Sequence, residues 1–203
     1  MDIIYYLIAL FVSMIVHEYM HALVAYKLGD MTAQHEGRLT LNPFVHIDPF
    51  YTLLLPLLLI LSGSPIVFGA AKPVPFNPYM VKGGKYGAAL VGLAGPLSNL
   101  VIATVFGIFL RLFPDTSLYG LYVSFIYLNL GFFVFNMIPF PPLDGSRVLY
   151  AFASEKLMEV MEKIESMGLM GIFFFMFIAY QFISPLIYNL VSWLASLITG
   201  GIL

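Results

Sequence analysis

The chain has 203 residues, of which 61% are hydrophobic and 10% charged, with mean hydropathy +0.93 and a formal net charge of -2. A soluble domain carries about 25% charged residues, so this composition excludes an ordinary water-soluble domain, and the near-neutral charge gives no purchase on nucleic acid. Cysteine is absent, which excludes disulfides, thiolate metal sites and a cysteine nucleophile.

A spanning helix needs about 20 apolar residues. Residues 3–28 form the first run of sufficient length, and Gly29 and Asp30 end it. Met1 and Asp2 supply no basic leader, so this run is read as a retained span and not as a cleaved signal. Residues 31–48 are more polar, with Gln34, His35, Glu36, Arg38, Asn42, His46 and Asp48, and are expected to form a loop. Residues 49–62 are apolar but short and contain Pro56. Residues 64–79 hold Pro65, Pro73, Pro75 and Pro78, a density that excludes a regular helix. Within them, residues 65–69 read as an extended segment that re-enters the membrane, tolerable only where protein or a water-filled cavity surrounds it.

The second clear span is residues 86–113, where Gly87, Gly92 and Gly95 precede Pro96-Leu97-Ser98-Asn99. Small residues at such spacing let helices approach closely in lipid. The third span, residues 118–138, runs into Pro139, Pro141 and Pro142, which are expected to hold Asp144 on an irregular segment. Residues 153–167 alternate Glu155, Lys156, Glu159, Glu162, Lys163 and Glu165 with apolar residues, the pattern of an amphipathic interfacial helix. Two apolar runs follow, residues 169–183 and 186–198, divided at Ser184 and Pro185 and read as a helical hairpin or one kinked span.

The expected fold is an all-α polytopic membrane protein. It is a bundle of about four to six transmembrane helices with a Pro-rich re-entrant or β-hairpin segment. Residues 1–203 make one domain, with a catalytic core at 3–147 and an interfacial helix and hairpin at 153–200. Lys27, Arg38, Lys72, Lys82, Lys85, Arg147, Lys156 and Lys163 fall on one side of the membrane and Arg111 on the other. The positive-inside rule then sets the N-terminus outside a multi-pass cell-membrane protein and directs residues 21 and 144 toward the cytoplasm.

The chemistry is concentrated in His17-Glu18-Tyr19-Met20-His21, inside the first span. Residues four apart share a helix face, so His17 and His21 can hold one metal ion together with Glu18 beside it, the arrangement of zinc proteases. Charged and polar groups buried in a span are costly without a function. A catalytic zinc takes a third protein ligand. Asp144 is the preferred candidate, because a carboxylate at the end of an apolar span is expensive unless paired or functional. His46 and Asp48 are the rivals, followed by His35 and Glu36.

These residues, with Asn136-Met137-Ile138-Pro139-Phe140-Pro141-Pro142-Leu143-Asp144-Gly145, resemble the site-2 protease family of intramembrane zinc metalloproteases. Gly37-Arg38-Leu39-Thr40-Leu41-Asn42-Pro43, His46-Ile47-Asp48-Pro49, Ala71-Lys72-Pro73-Val74-Pro75 and Gly95-Pro96-Leu97-Ser98-Asn99 are similar to stretches of compact prokaryotic members without PDZ or CBS insertions. The likeness covers residues 3–147; the remainder matches in hydropathy only.

The resemblance implies one Zn2+ per chain on His17, His21 and Asp144, with Glu18 as general base and Asn136 binding the scissile carbonyl. Ile66, Val67 and Phe68 would bind the unwound substrate as an added strand. The substrate would be a transmembrane segment of another membrane protein in the lipid bilayer; the oligomeric state is open. A catalytically silent relative and a metal transporter are the alternatives. Ser98 and Asn99 read as helix-packing groups, His46 and Asp48 as loop structure, and His35 as a solvated histidine.

Overall fold

The computed structural model describes residues 3–54, 57–58, 61–62, 72, 74–168, 170–171, 175 and 180–203. Its helices are α1 (Ile3–Lys27), α2 (Thr32–His35), α3 (Gly84–Leu112), α4 (Tyr119–Asn136), α5 (Asp144–Phe152), α6 (Glu155–Ser166) and α7 (Tyr180–Thr199). A 3-10 turn at Pro43–Val45 and a π-helical stretch at Pro49–Leu54 lie between α2 and α3. Among the described residues four helices, Ile3–Lys27, Gly84–Leu112, Tyr119–Asn136 and Gln181–Thr199, are long and apolar enough to cross a membrane. The protein is a multi-pass membrane protein, and its described residues form an all-α architecture.

The packing of α1 is inverted relative to a soluble helix. Its buried face recurs every four residues as Ala9, Ser13, His17, His21 and Ala25. Ile3, Ile4, Leu7, Ile8, Phe11 and Val12 point outward. In lipid the large apolar side chains gain nothing by burial, so small and polar residues take the interface.

The same logic builds α3, which buries Gly87, Gly92, Gly95, Asn99, Ala103 and Gly107 and exposes Leu90, Leu97, Val101 and Ile108. It is the central helix, packed against α1, α4, α5 and α7. Ala103 and Leu110 of α3 meet Ile126 and Leu130 of α4 and Ala195 of α7 in one buried cluster. Ala9 of α1 meets Phe125 and Leu128 of α4 in another.

The C-terminal end of α1, the N-terminal end of α3 and the start of α5 gather at one end of the bundle. Gly29, with φ 101°, turns the chain out of α1 in a conformation that side-chain-bearing residues rarely adopt. The Lys82 N–H donates to the Leu28 carbonyl at 2.8 Å and ties the two helix ends together.

The polar stretch after α1 carries more order than a loop. Asp30 is fully buried. Its Oδ1 accepts the Thr32 N–H at 3.0 Å and the Thr32 hydroxyl at 2.5 Å, and its Oδ2 accepts the Asn77 N–H at 2.6 Å. Burial alone would raise this carboxyl, but the Thr32 and Asn77 bonds outweigh it and hold it below the usual carboxylate range.

Two expectations are corrected. Asp144 is not on irregular backbone; it is the first residue of α5, where the helix dipole favours an anion. The irregular part ends at Leu143, whose backbone is extended. Ser184 and Pro185 do not form the turn of a hairpin either, since both lie inside α7, as in the kinked-span alternative. Pro185 has no N–H, so it removes one main-chain bond of that helix. The proposed re-entrant segment, with Ile66, Val67 and Phe68, lies outside the described residues.

The amphipathic helix is present as α6, opened by Ser154, whose side chain accepts the Leu157 N–H at 3.5 Å. It is fastened to α5 by a two-pronged ion pair, with Arg147 Nη2 to Glu165 Oε1 at 2.5 Å and Nη1 to Oε2 at 3.3 Å. The Tyr150 hydroxyl donates to Glu165 Oε2 at 3.3 Å. Its phenol is pushed up to about 12 by burial and by the Glu165 charge.

Candidate metal centre

α1 and α3 run antiparallel at the centre, and each presents a stripe of period four to the other. On α1 the stripe is His17 and His21; on α3 it is Val91, Gly95 and Asn99. His21 Nδ1 lies 2.7 Å from the Val91 carbonyl oxygen. A carbonyl only accepts, so Nδ1 carries the proton and Nε2 presents a lone pair. His17 Nδ1 lies 2.6 Å from Asn99 Oδ1 and is oriented in the same sense.

Between these stripes, Gly95 leaves the space that the imidazoles occupy. A Cβ there would stand 2.6 Å from His17 Nε2 and 2.7 Å from its Cε1, and would overlap His21 Nε2. Gly92, one turn away, does the same for α5: a Cβ would meet Arg147 Cβ at 2.8 Å and the Asp144 carbonyl at 3.0 Å. The two glycines let α3 approach both ligand-bearing elements.

The result is a triangle. His17 Nε2 and His21 Nε2 are 3.0 Å apart, and Asp144 Oδ2 lies 3.1 Å from the first and 3.3 Å from the second. With both imidazole protons on Nδ1, three lone-pair atoms face one another, and buried Oδ2 receives no hydrogen bond. Such a cluster is repulsive by itself and calls for a cation. Two ligand atoms on a tetrahedral zinc, at about 2.0–2.1 Å from it, are about 3.3 Å apart, close to the sides of this triangle. The residues therefore fit a metal ion with an open fourth position. Among the described residues this is the group of three that could hold one.

Glu18 accepts the Val74 N–H on Oε2 at 2.9 Å. Pro73 and Pro75 have no N–H, so Glu18 takes the sole main-chain donor of that triplet. Sequence inspection missed this contact, because a backbone amide leaves no side-chain signal.

The rival ligands are occupied elsewhere. His46 is buried with Nε2 on the Thr40 carbonyl at 2.8 Å, Asp48 accepts the Phe50 N–H at 2.9 Å, and His35 is exposed at the end of α2. Asn136 closes α4, and its amide donates to the Phe132 carbonyl at 3.0 Å. Asn99 is more than the packing group expected, since it holds a candidate ligand; Ser98 bonds the Gly95 carbonyl at 2.6 Å. Ser13 and Asn129, which the sequence did not single out, complete the surroundings of Asn99.

The chain is 39% identical over 193 residues to YwhC of Bacillus subtilis (strain 168), provisionally named a zinc metalloprotease, with 90% of this chain and 81% of that relative covered. It is 35% identical over 154 residues to MJ0611 of Methanocaldococcus jannaschii, which bears the same provisional description, covering 70% of this chain and 68% of the relative. It is 34% identical over 136 residues to Rip2 of Mycolicibacterium smegmatis, likewise provisionally described, covering 66% of this chain and 51% of that protein. No family model and no solved structure matches the chain.

Proposed function

Because the chain belongs to the zinc metalloprotease family of YwhC and MJ0611, we propose that it is an intramembrane protease of the site-2 protease class. It would hydrolyse a peptide bond within or near a transmembrane segment of another membrane protein. The observation that carries this reading is the triangle of His17 Nε2, His21 Nε2 and Asp144 Oδ2, set among helices long and apolar enough to cross a membrane. Two imidazoles and one carboxylate serve zinc or iron, and the names of the relatives decide for zinc.

In this mechanism His17, His21 and Asp144 hold one zinc per chain. Bound there, zinc supplies Lewis acidity, making water more acidic and polarising a carbonyl. Glu18 takes the proton of the attacking water as its oxygen adds to the peptide carbon. It returns that proton to the amine nitrogen as the C–N bond breaks, so one water is consumed and a carboxylate and an amine leave. Asn136 uses its second amide proton, the one not given to Phe132, to stabilise the developing oxyanion.

Residues 66–68 receive the unwound substrate as an added strand. Eight of the nine basic residues on one side support a site facing the cytoplasm, with the start of α1 outside the cell membrane. Cleavage there releases a cytoplasmic fragment, the outcome of regulated intramembrane proteolysis.

The test is the metal content of protein purified in detergent, for wild type, Asp144→Ala and His46→Ala, beside cleavage of a reconstituted transmembrane substrate. Wild type and His46→Ala are expected to hold one zinc and to cleave; Asp144→Ala is expected to lose both. Zinc retained by Asp144→Ala but lost from His46→Ala would overturn the ligand set. Zinc flux across vesicles that survives Glu18→Gln, without cleavage by wild type, would make the protein a transporter.

A further inference from the structure

We infer that Asn99 and Asn129 are positioning residues that fix the tautomer and direction of His17 through a one-way chain of hydrogen bonds anchored on the main chain. The inference rests on the reading of His17 as a zinc ligand.

The chain begins in α4. Asn129 Nδ2 donates to the Phe125 carbonyl at 2.8 Å and to the Ser13 hydroxyl oxygen at 2.7 Å. A main-chain carbonyl cannot donate, so the amide nitrogen of Asn129 must face Phe125 and its Oδ1 must face away. That Oδ1 accepts from Asn99 Nδ2 at 2.8 Å. Asn99 Nδ2 also lies 3.4 Å from the Ser13 carbonyl, a second acceptor that cannot reverse. With its nitrogen committed twice, Asn99 can offer His17 only Oδ1, and His17 answers with Nδ1–H at 2.6 Å. The lone pair of Nε2 is thereby aimed at His21 and Asp144.

Reversal at any link sets two lone pairs against each other. A proton moved to His17 Nε2 would face the metal position and leave Nδ1 opposed to Asn99 Oδ1. Ser13, Asn99 and Asn129 are each fully buried, where an unmatched polar group is costly, so the wrong order is suppressed. Packing alone would be served by any buried amide pair; only this orientation ends on an acceptor for a ligand histidine. His21 needs no such device, because the Val91 carbonyl orients it directly.

The experiment combines zinc affinity, by competition with a chelator, and the tautomer of His17 in metal-free, 15N-histidine-labelled protein. Wild type is expected to show His17 protonated on Nδ1. Asn99→Ala is expected to mix the tautomers and to bind zinc about 10–100-fold more weakly, the usual cost of losing a partner behind a metal ligand. Asn99→Asp keeps an acceptor for Nδ1 but sets its second oxygen against Asn129 Oδ1 and the Ser13 carbonyl, so it is expected to hold the Nδ1–H tautomer of His17 while lowering the melting temperature. Asn129→Ala tests the chain one link away, without touching the partner of His17, and is expected to mix the tautomers in part.

Wild-type affinity and a pure Nδ1–H tautomer in Asn99→Ala would overturn the inference, as would tautomer mixing in Asn99→Asp equal to that in Asn99→Ala, which marks a packing role. If His17→Ala binds zinc like wild type, the ligand reading falls and takes this inference with it.

Discussion

Glu18 illustrates how much of a site one residue type announces and how much it withholds. Its place next to His17 was legible, because a helix of period 3.6 puts His17 and His21 on one face with Glu18 beside them. Its partner was not: the Val74 N–H is 56 residues away and belongs to backbone. Asp144 was legible as a costly carboxylate near a span end, although its position as the first residue of a helix was not. Asn99 was undervalued because its partner is 82 residues distant and an amide in a span has a bland explanation in packing. If Glu18 is the proton carrier, Glu18→Gln keeps an acceptor for Val74 but cannot shuttle a proton. Its turnover should fall by about 10²–10⁴ while zinc content is unchanged. Metal analysis beside a cleavage assay checks both, and undiminished cleavage would remove Glu18 from the mechanism.

Among the elements, the spans α1, α3 and α4 and the amphipathic α6 were read to within a few residues, since long apolar runs have one physical solution in lipid, whereas the short α2 and α5 were not foreseen. The connections were read poorly, because their order comes from distant hydrogen bonds. The residues leading into α3 show this. Lys72 N–H donates to the His46 carbonyl at 2.9 Å, Val74 N–H to Glu18 and Asn77 N–H to Asp30. The last anchor titrates. Asp30 is held below its ordinary value of 3.8, so its stabilisation is complete above that value and is lost as pH falls through the lower, folded one. Asp30→Asn should cost on the order of 1–3 kcal/mol at neutral pH. The gap in melting temperature from wild type should shrink once the pH drops below about 4. Thermal melts of the two proteins across pH read it out; a gap independent of pH would show that the Asp30 charge does not hold the segment.

For the whole molecule, the metal position joins α1 to α5 across the face of α3, three elements that otherwise meet through small residues. Zinc held by His17, His21 and Asp144 would therefore bind the folded bundle and not the unfolded chain. At free zinc a hundredfold above the dissociation constant it should add about 2.7 kcal/mol, which is about 5–10 °C in melting temperature for a chain of this length. Chelation should remove that increment from wild type and leave Asp144→Ala where it was; an equal response in both would place the ion elsewhere. The close approach at Gly92 and Gly95 has a wider consequence. Half of what specifies this centre is an absence, the two missing methyl groups that act as a mould for the donors. A descendant of this chain could keep every donor atom and still lose its metal through one added carbon. An inventory of donors alone would then count as intact a lineage whose cavity had been filled.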